Sequence, residues 1–445
     1  MGPGPGAALL RAGNVVALDV EKPAAGGRML ARHDGLVVLV SAAIPGEQVR
    51  ALVQRTSAGV AYAVTVEVVK ASPDRRPAAT DWACGGNVYA HIAYPRQLSL
   101  KAEIVLDALA RIGHITHQAP IEVSPSPERG YRMRARFHLR GSHIGFFREG
   151  THHLCDPAST GQLLPETDRV LAGIGEILRT GRLQGVTSIE LAENVPATER
   201  ALHLELERPV PPAGLELLAR IPTVVGVSAS FGGASPSAGR HPGQGQGWRR
   251  TMTAGGAACV LDDLALPDTP PFRLQHNAAA FFQGNRYLLA PLAARVCSLV
   301  PRGPVIDLYA GVGLFAAALA ASGWERVVAV ESDRAAAADL RANAAPFGAA
   351  LEPVEMAVED YLAGHQSDGA TVVIDPPRTG MSRAASAALA SHGAPRIVYV
   401  SCDVATFARD ARRLLDAGYA LEHLEAFDLF PNTAHVEAVG VFSRF

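Results

Sequence analysis

Lysine is nearly missing from this chain: three of its 41 basic residues are Lys and the rest are Arg. Set beside 43 Gly, 31 Pro and abundant Ala, that reads as a bias of the coding sequence and carries no mechanism. Cysteine is scarce as well. The five cysteines (84, 155, 259, 297 and 402) are odd in number and scattered, so no disulfide framework is expected and a reducing, cytoplasmic setting suits them. The longest near-unbroken apolar run, Gly311 to Gly323, falls short of the roughly 18 residues a spanning helix needs, so no membrane partner is expected. The first six residues lack a basic region followed by an apolar core, and no signal peptide is expected. With 48% hydrophobic residues wholesale disorder is excluded, and 445 residues suffice for two to four domains.

A net charge of −2 conceals an asymmetry. Residues 1–150 carry 18 Lys and Arg against 12 acids, and the remainder carries 23 against 31. A basic front half fits a module that binds a polyanion. Within it, Val15 to Leu18, Gly35 to Val40, Gln48 to Val53 and Val60 to Val69 are Val-rich runs cut by Gly26-Gly27, Asp34-Gly35 and Pro45-Gly46, the punctuation of a small antiparallel barrel. Gly26-Gly27-Arg28, Asp34-Gly35, Val38, Val40 and Ile44-Pro45-Gly46-Glu47 resemble a TRAM domain, an oligonucleotide-binding-type barrel appended to RNA-modifying enzymes. After a linker around Pro73–Pro77, the apolar stripe Leu98, Ala102, Val105, Leu109 and Ile112 predicts a helix. Tyr131 to Arg140 then alternates strictly, placing Arg132, Arg134, Arg136, His138 and Arg140 on one strand face. Without an interleaved acid these cations repel one another unless an anion compensates, which makes the four arginines candidate phosphate contacts. Residues 231–247, rich in Gly, Ser and Pro, read as a flexible loop without chemistry.

Beyond Pro271 strands and helices alternate, the signature of a doubly wound parallel sheet. Pro304 to Leu308 is a strand holding Asp307, followed by Tyr309 and the turn Gly311-Val312-Gly313 at the start of an Ala-rich helix over 314–321. Such glycines let a ligand lie against the backbone at a helix start. The next strand ends in Glu331, placed to accept both hydroxyls of a ribose. A third glycine and a basic pocket for pyrophosphate are missing, so a cationic, phosphate-free nucleoside such as S-adenosylmethionine suits the loop better than NAD. A third strand runs into Asp375-Pro376-Pro377-Arg378; its prolines hold Asp375 at the sheet's carboxyl edge, and Arg378 in place of an aromatic argues against methylation of an exocyclic amine. A fourth delivers Ser401-Cys402-Asp403 to the start of a helix ending near Gly418. The positive end of that helix would favour the Cys402 thiolate. Glu437, opening a final apolar strand, is a candidate for a raised pKa and for proton abstraction.

In this order the fragments resemble the RNA uracil-C5 methyltransferase family, which makes 5-methyluridine in transfer and ribosomal RNA. The likeness runs from the TRAM-like barrel through Tyr131 to Cys155, Phe281-Phe282-Gln283-Gly284-Asn285 and the Asp307 loop to Asp375-Pro376-Pro377-Arg378, Ser401-Cys402 and His435-Val436-Glu437. It implies Cys402 as nucleophile, Glu437 as base, and Gln283, Tyr309, Glu331 and Asp375, with Gly311 and Gly313, around S-adenosylmethionine or the reacting centre. It implies an α/β fold in three parts: a barrel over 1–72, a central RNA-binding domain over 73–265, and a Rossmann-like class I methyltransferase domain over 266–445, with the helical segment near 95–125 packing on the last. Many relatives hold an iron-sulfur cluster on four cysteines. Here only Cys84 and Cys155 match, with Ala78 and Asn87 at the other two positions, so no cluster is expected. His152-His153-Leu154-Cys155 lacks the spacing of a metal-ligand pair, and no metal is assigned. The barrel tilts the target toward ribosomal RNA over transfer RNA, and no obligate protein partner is inferred. Two rivals stand beside this reading: a catalytically silent RNA-binding protein, and an RNA cytosine-C5 methyltransferase, which Ser401 in place of Pro before Cys402 disfavours.

Overall fold

The computed structural model describes residues 10–78, 80–232 and 250–444. Most of the Gly-rich stretch at 231–247 lies outside them.

The Val-rich runs close into a five-stranded barrel: Val15–Pro23, Met29–His33, Leu36–Ser41, Gln48–Ser57 and Val60–Lys70. Alternation drives it. Val16, Leu18, Val20, Val38, Val40, Val49, Ala51, Val53, Ala61 and Ala63 point inward and are buried, while the residues between them face out. The Met29–His33 strand is absent from the sequence reading because Arg32 and His33 break its apolar run.

Next comes a seven-stranded sheet whose central strands are Arg134–Arg140, Val186–Glu193 and Arg200–Leu206. Of the apolar set of the alternating segment, Tyr131, Met133, Ala135 and Phe137 are buried and Leu139 is half-buried. A two-stranded ribbon, Cys259–Leu264 with Phe272–Asn277, leads on to the last sheet.

That sheet has eight strands in the order Leu351–Glu355, Val327–Glu331, Val305–Leu308, Thr371–Ile374, Arg396–Ser401, Glu437–Ser443, Ala420–Phe427 and Val123–Ser124. The first five run parallel, and Glu437–Ser443 lies antiparallel to Arg396–Ser401. Parallel strands covered on both faces must be apolar throughout. Val305, Ile306 and Leu308, Thr371 to Ile374, and Ile397 to Val400 are accordingly all buried. Helices Leu289–Leu299, Leu314–Ala321 and Arg334–Ala344 cover one face. The other face is covered by Val358–Gly364, Arg383–His392, Val404–Asp416 and the much earlier helix Tyr94–Ala108, whose Val105 and Ala108 enter the same core as Phe407 and Leu414. Strand order reverses between Val305–Leu308 and Thr371–Ile374, and the crevice outside the carboxyl ends at such a switch point is where ligands bind in this architecture.

Candidate active site

Register alone brings the chemistry together. Ser401 pairs with Ala438 across an antiparallel ladder, so one residue further Cys402 and Glu437 stand opposite each other at the edge. Ile374 pairs with Tyr399 and Leu308 with Ile374, so Asp375 and Tyr309 leave the sheet at that same edge. Gln283 enters from the loop ahead of Leu289–Leu299, its Nε2 donating to Asp375 Oδ2 at 3.1 Å. After Asp375 the two prolines form a tight turn closed by the Gly380 N–H on the Pro377 carbonyl at 2.7 Å.

The segment that delivers Glu437 is fixed from outside the sheet. Lys101 and Asp428, both fully buried, form an ion pair; Lys101 Nζ also donates to the Phe430 carbonyl at 3.0 Å, and the Tyr94 hydroxyl donates to Asp428 Oδ2 at 2.9 Å. Asn285, two residues beyond Gln283, donates to the Leu429 carbonyl at 3.0 Å. The Gln283 loop and the Glu437 loop are therefore one assembly, hung on helix Tyr94–Ala108.

Electrostatics at this edge correct one expectation. Burial, then the neighbouring Glu437 and Asp375, push the Cys402 thiol up to about 12, with Arg378 acting against them. The positive end of the helix that follows, capped by Asp403 whose carboxylate accepts the Thr406 N–H at 2.9 Å, does not offset this burial. Glu437, 1% exposed, has an Oε1 with no partner among the described residues; burial and Asp375 hold its carboxyl well above the usual range. Burial also lifts Asp375 to about 7. The pocket thus holds a neutral thiol beside protonatable carboxyls, a set that retains protons until a cation or a substrate alters the balance.

The crevice beside it is lined by the Gly turn. Gly311 has φ +57, and a Cβ built on it meets only the Phe281 carbonyl, at 4.0 Å, so the turn faces open space. Gly313, at φ +91, lies under Leu340, where a Cβ would come within 2.6 Å. Tyr309 takes a left-handed φ of 59°, which turns its backbone from strand to turn. Glu331 Oε2 accepts the Gly311 N–H at 2.9 Å and its Oε1 accepts the Ser332 and Asp333 N–H groups at 2.7 and 2.6 Å, so the half-buried carboxylate is oriented from both sides. Asp307 is fully buried behind the turn, with Oδ2 on the Ala316 N–H at 3.1 Å and Oδ1 without a partner among the described residues, and burial, then Asp375, raises its carboxyl well above the usual range. An open glycine turn with the oriented Glu331 carboxylate beside it fits a cationic nucleoside.

The arginine face stands elsewhere and turns out differently. Arg136 lies 3.3 Å from Glu190 on the neighbouring strand and 3.0 Å from Glu205 on the strand beyond it, and Arg134 donates to the Asn277 and Ala278 carbonyls at 3.2 and 2.8 Å. The missing anion was thus supplied across the sheet, and the repulsion argument for phosphate no longer applies to these two. Arg132 sits between the Phe146 and Phe430 rings, and Arg140 is exposed. A second correction concerns cysteine: Cys84 and Cys155 are joined by a disulfide, because a bridge at Cys84 to Arg148 and the pairing of Phe146 with Cys155 draw both onto one hairpin. Those two sulfurs, bonded to each other beside Ala78 and Asn87, do not fit an iron-sulfur cluster. Two residues of the family-like motifs had no role assigned from sequence: Arg378, which reaches Cys402, and Phe281, 67% exposed beside the Gly311 turn.

Known proteins match this geometry. The tRNA (uracil-5-)-methyltransferase family model matches residues 358–444, the span carrying Asp375, Cys402 and Glu437. The 23S rRNA (uracil(1939)-C(5))-methyltransferase RlmD of Pseudomonas putida is 30% identical over 96% of this chain and 93% of its own length. The chain belongs to the RNA uracil-C5 methyltransferase family. An uncharacterized RNA methyltransferase of Thermosynechococcus vestitus is also 30% identical, over 97% of this chain and 98% of that protein. The crystal structure of Pyrococcus abyssi tRNA (uracil-54, C5)-methyltransferase in complex with S-adenosyl-L-homocysteine superposes with a TM-score of 0.73 at 24% identity, covering 96% of this chain and 99% of that one. The methyltransferase fold and its appended barrel are therefore shared with this family along nearly the whole chain.

Proposed function

We propose that this enzyme transfers a methyl group to C5 of a uridine in structured cytoplasmic RNA, ribosomal RNA in preference to transfer RNA, through a covalent bond between Cys402 and C6. The observation that carries this reading is the register of Cys402 against Glu437 at a buried strand edge. S-adenosylmethionine, when bound, supplies the methyl group as a sulfonium cation. Gln283, Tyr309, Gly311, Gly313, Glu331 and Asp375 would hold it along the switch-point crevice. The solved relative's S-adenosyl-L-homocysteine supports that choice.

Uracil C5 is a poor nucleophile. Cys402 gives its proton to solvent water and its Sγ adds to C6 as thiolate, so the electron pair moves onto C5, which becomes able to accept a methyl group. Glu437, once its own proton has passed to solvent water as the substrate fills the site, removes the C5 proton, the C5–C6 double bond re-forms and the thiolate departs. Arg378 lowers the thiol's hold on its proton, and the buried carboxyls keep the edge free of net negative charge until substrate arrives. The uridine has to leave its stack to reach Cys402, at a cost of a few kcal/mol that backbone contacts must offset. In this reading the chain divides into the barrel at 1–72, a central domain at 73–265 and the catalytic domain at 266–445, and the first two hold the RNA. Among the four candidate arginines, Arg140 and Arg132 retain donors suited to phosphate, whereas Arg134 and Arg136 are occupied within the protein.

The ribosomal preference rests on the Pseudomonas putida relative. The barrel adds little, since a transfer-RNA enzyme matches 96% of this chain. Incubating unmodified 23S rRNA and tRNA transcripts with labelled cofactor tests the reading. Label at C5 of uridine in the former is expected; label on cytidine, or none on either RNA, would contradict it.

A further inference from the structure

A cavity of about 460 Å³ opens between the barrel and the segment that follows it, lined by Arg75, Arg76, Pro77, Trp82 and His91 among others. That volume suits a small ligand, and the mechanism above uses none of these residues. His91 is 4% exposed, and its Nε2 lies 3.2 Å from the Ala43 carbonyl, which can only accept, so Nε2 carries the ring hydrogen. Burial lowers the ring's pKa to about 4, leaving Nδ1 a bare acceptor with no partner among the described residues. Trp82, half-buried in the same wall, offers an aromatic face. Arg75 is held by Glu47 through Nε and Nη2, both at 2.6 Å, while its Nη1 has no partner among the described residues.

His91 Nδ1 is shielded from solvent within the wall, while an aromatic face and a guanidinium edge together complement the base and phosphate of a nucleotide. One free guanidinium edge is too little to capture a free nucleotide, so affinity has to come from the rest of a polynucleotide. Arg76 ties the cavity to the catalytic loop, since its Nε donates to the Ala90 carbonyl at 3.1 Å and its Nη2 to Asn432 Oδ1 at 3.1 Å, five residues before Glu437. A second cavity of about 190 Å³ shares Arg76 and Pro77 and is lined by Asn432 and Arg129.

We infer that the larger cavity receives one unpaired nucleotide of the RNA substrate, its base on Trp82 against the wall that His91 forms and its phosphate on Arg75 Nη1. This rests on the RNA reading above. The test uses the full chain and an unmodified 23S rRNA transcript, with equilibrium binding measured alongside methylation. Trp82→Ala should weaken RNA binding and raise the RNA KM about tenfold, with kcat within about twofold, and Trp82→Phe should restore most of the loss. Equal RNA affinity for wild type and Trp82→Ala would overturn the subsite. So would a Trp82→Ala loss matched by a lowered Tm and not recovered by phenylalanine. Tight, Trp82-dependent binding of AMP or UMP alone would overturn it in favour of a free-nucleotide site. Because binding is read apart from methylation, a wild-type chain that binds the transcript through Trp82 without modifying it would sink the catalytic reading and leave the subsite standing.

Discussion

Along the Arg134–Arg140 strand two cations are answered inside the protein: Glu190 and Glu205 pair with Arg136, and two carbonyls take Arg134. At the carboxyl edge of the eight-stranded sheet the opposite holds. Burial raises Cys402, Asp375 and Glu437, Asp375 lifts the other two further, and Glu437 Oε1 is left without a partner among the described residues. Buried polar groups are normally satisfied, so the edge that tolerates an unsatisfied one beside raised titratable groups is where binding energy has to be supplied by something else. A run of charge in one strand says little about function until the neighbouring strands are known; an unpartnered carboxyl buried at a crevice says more.

The comparison breaks most directly at Cys402. Cys402→Ala should lower methyl transfer about 10⁴-fold or more, measured with labelled cofactor and RNA. Loss of less than tenfold would leave the edge without its nucleophile. Glu437→Gln should slow turnover by about 10² to 10⁴-fold while the RNA adduct accumulates on a denaturing gel, since addition proceeds and release does not. A slow variant with no adduct would place Glu437 before the addition step instead.

Anchoring of the Glu437 loop is tested by Lys101→Met. It strands Asp428 as a fully buried charge and should lower unfolding stability by about 3–5 kcal/mol in denaturant titrations. The raised thiol has its own signature. Between pH 8 and 9, alkylation of the Cys402 peptide should accelerate about tenfold, because a thiol titrating near 12 is still gaining thiolate, whereas an ordinary thiol gains about threefold. A plateau by pH 9 would show that burial and the neighbouring carboxyls do not hold the thiol up. The smallest effect is expected on the paired face: Arg136→Ala should change RNA affinity less than about threefold with an unaltered salt dependence. A tenfold loss with a shallower salt slope would make that face an RNA surface after all.

What the chain reveals before folding follows the range of the interaction. Leu314–Ala321 and Val404–Asp416 come from apolar spacing and a following glycine, both local, and appear at or near the expected limits. Tyr309, Asp375 and Cys402 are legible because each follows its own apolar strand, and Glu437 because it opens one. Their proximity is long-range, and only the strand order supplies it. Three features had no local signal: acids from other strands beside Arg136, the hairpin that brings Cys84 to Cys155, and Val123–Ser124 joining the eight-stranded sheet beside Ala420–Phe427. The helix start beside Cys402 is local, but the burial that outweighs it, with Glu437 and Asp375 arriving from other strands, exists only in the fold.

The central claim is that Cys402 bonds to uracil C6. Incubating the enzyme with cofactor and 5-fluorouridine-substituted 23S rRNA, in which fluorine replaces the proton that Glu437 must remove, should give a denaturation-resistant complex whose mass maps to the Cys402 peptide. That complex should be lost in Cys402→Ala and kept in Cys259→Ala and Cys297→Ala. A complex that survives Cys402→Ala, or methylation of normal RNA with no trapped species, would contradict the account.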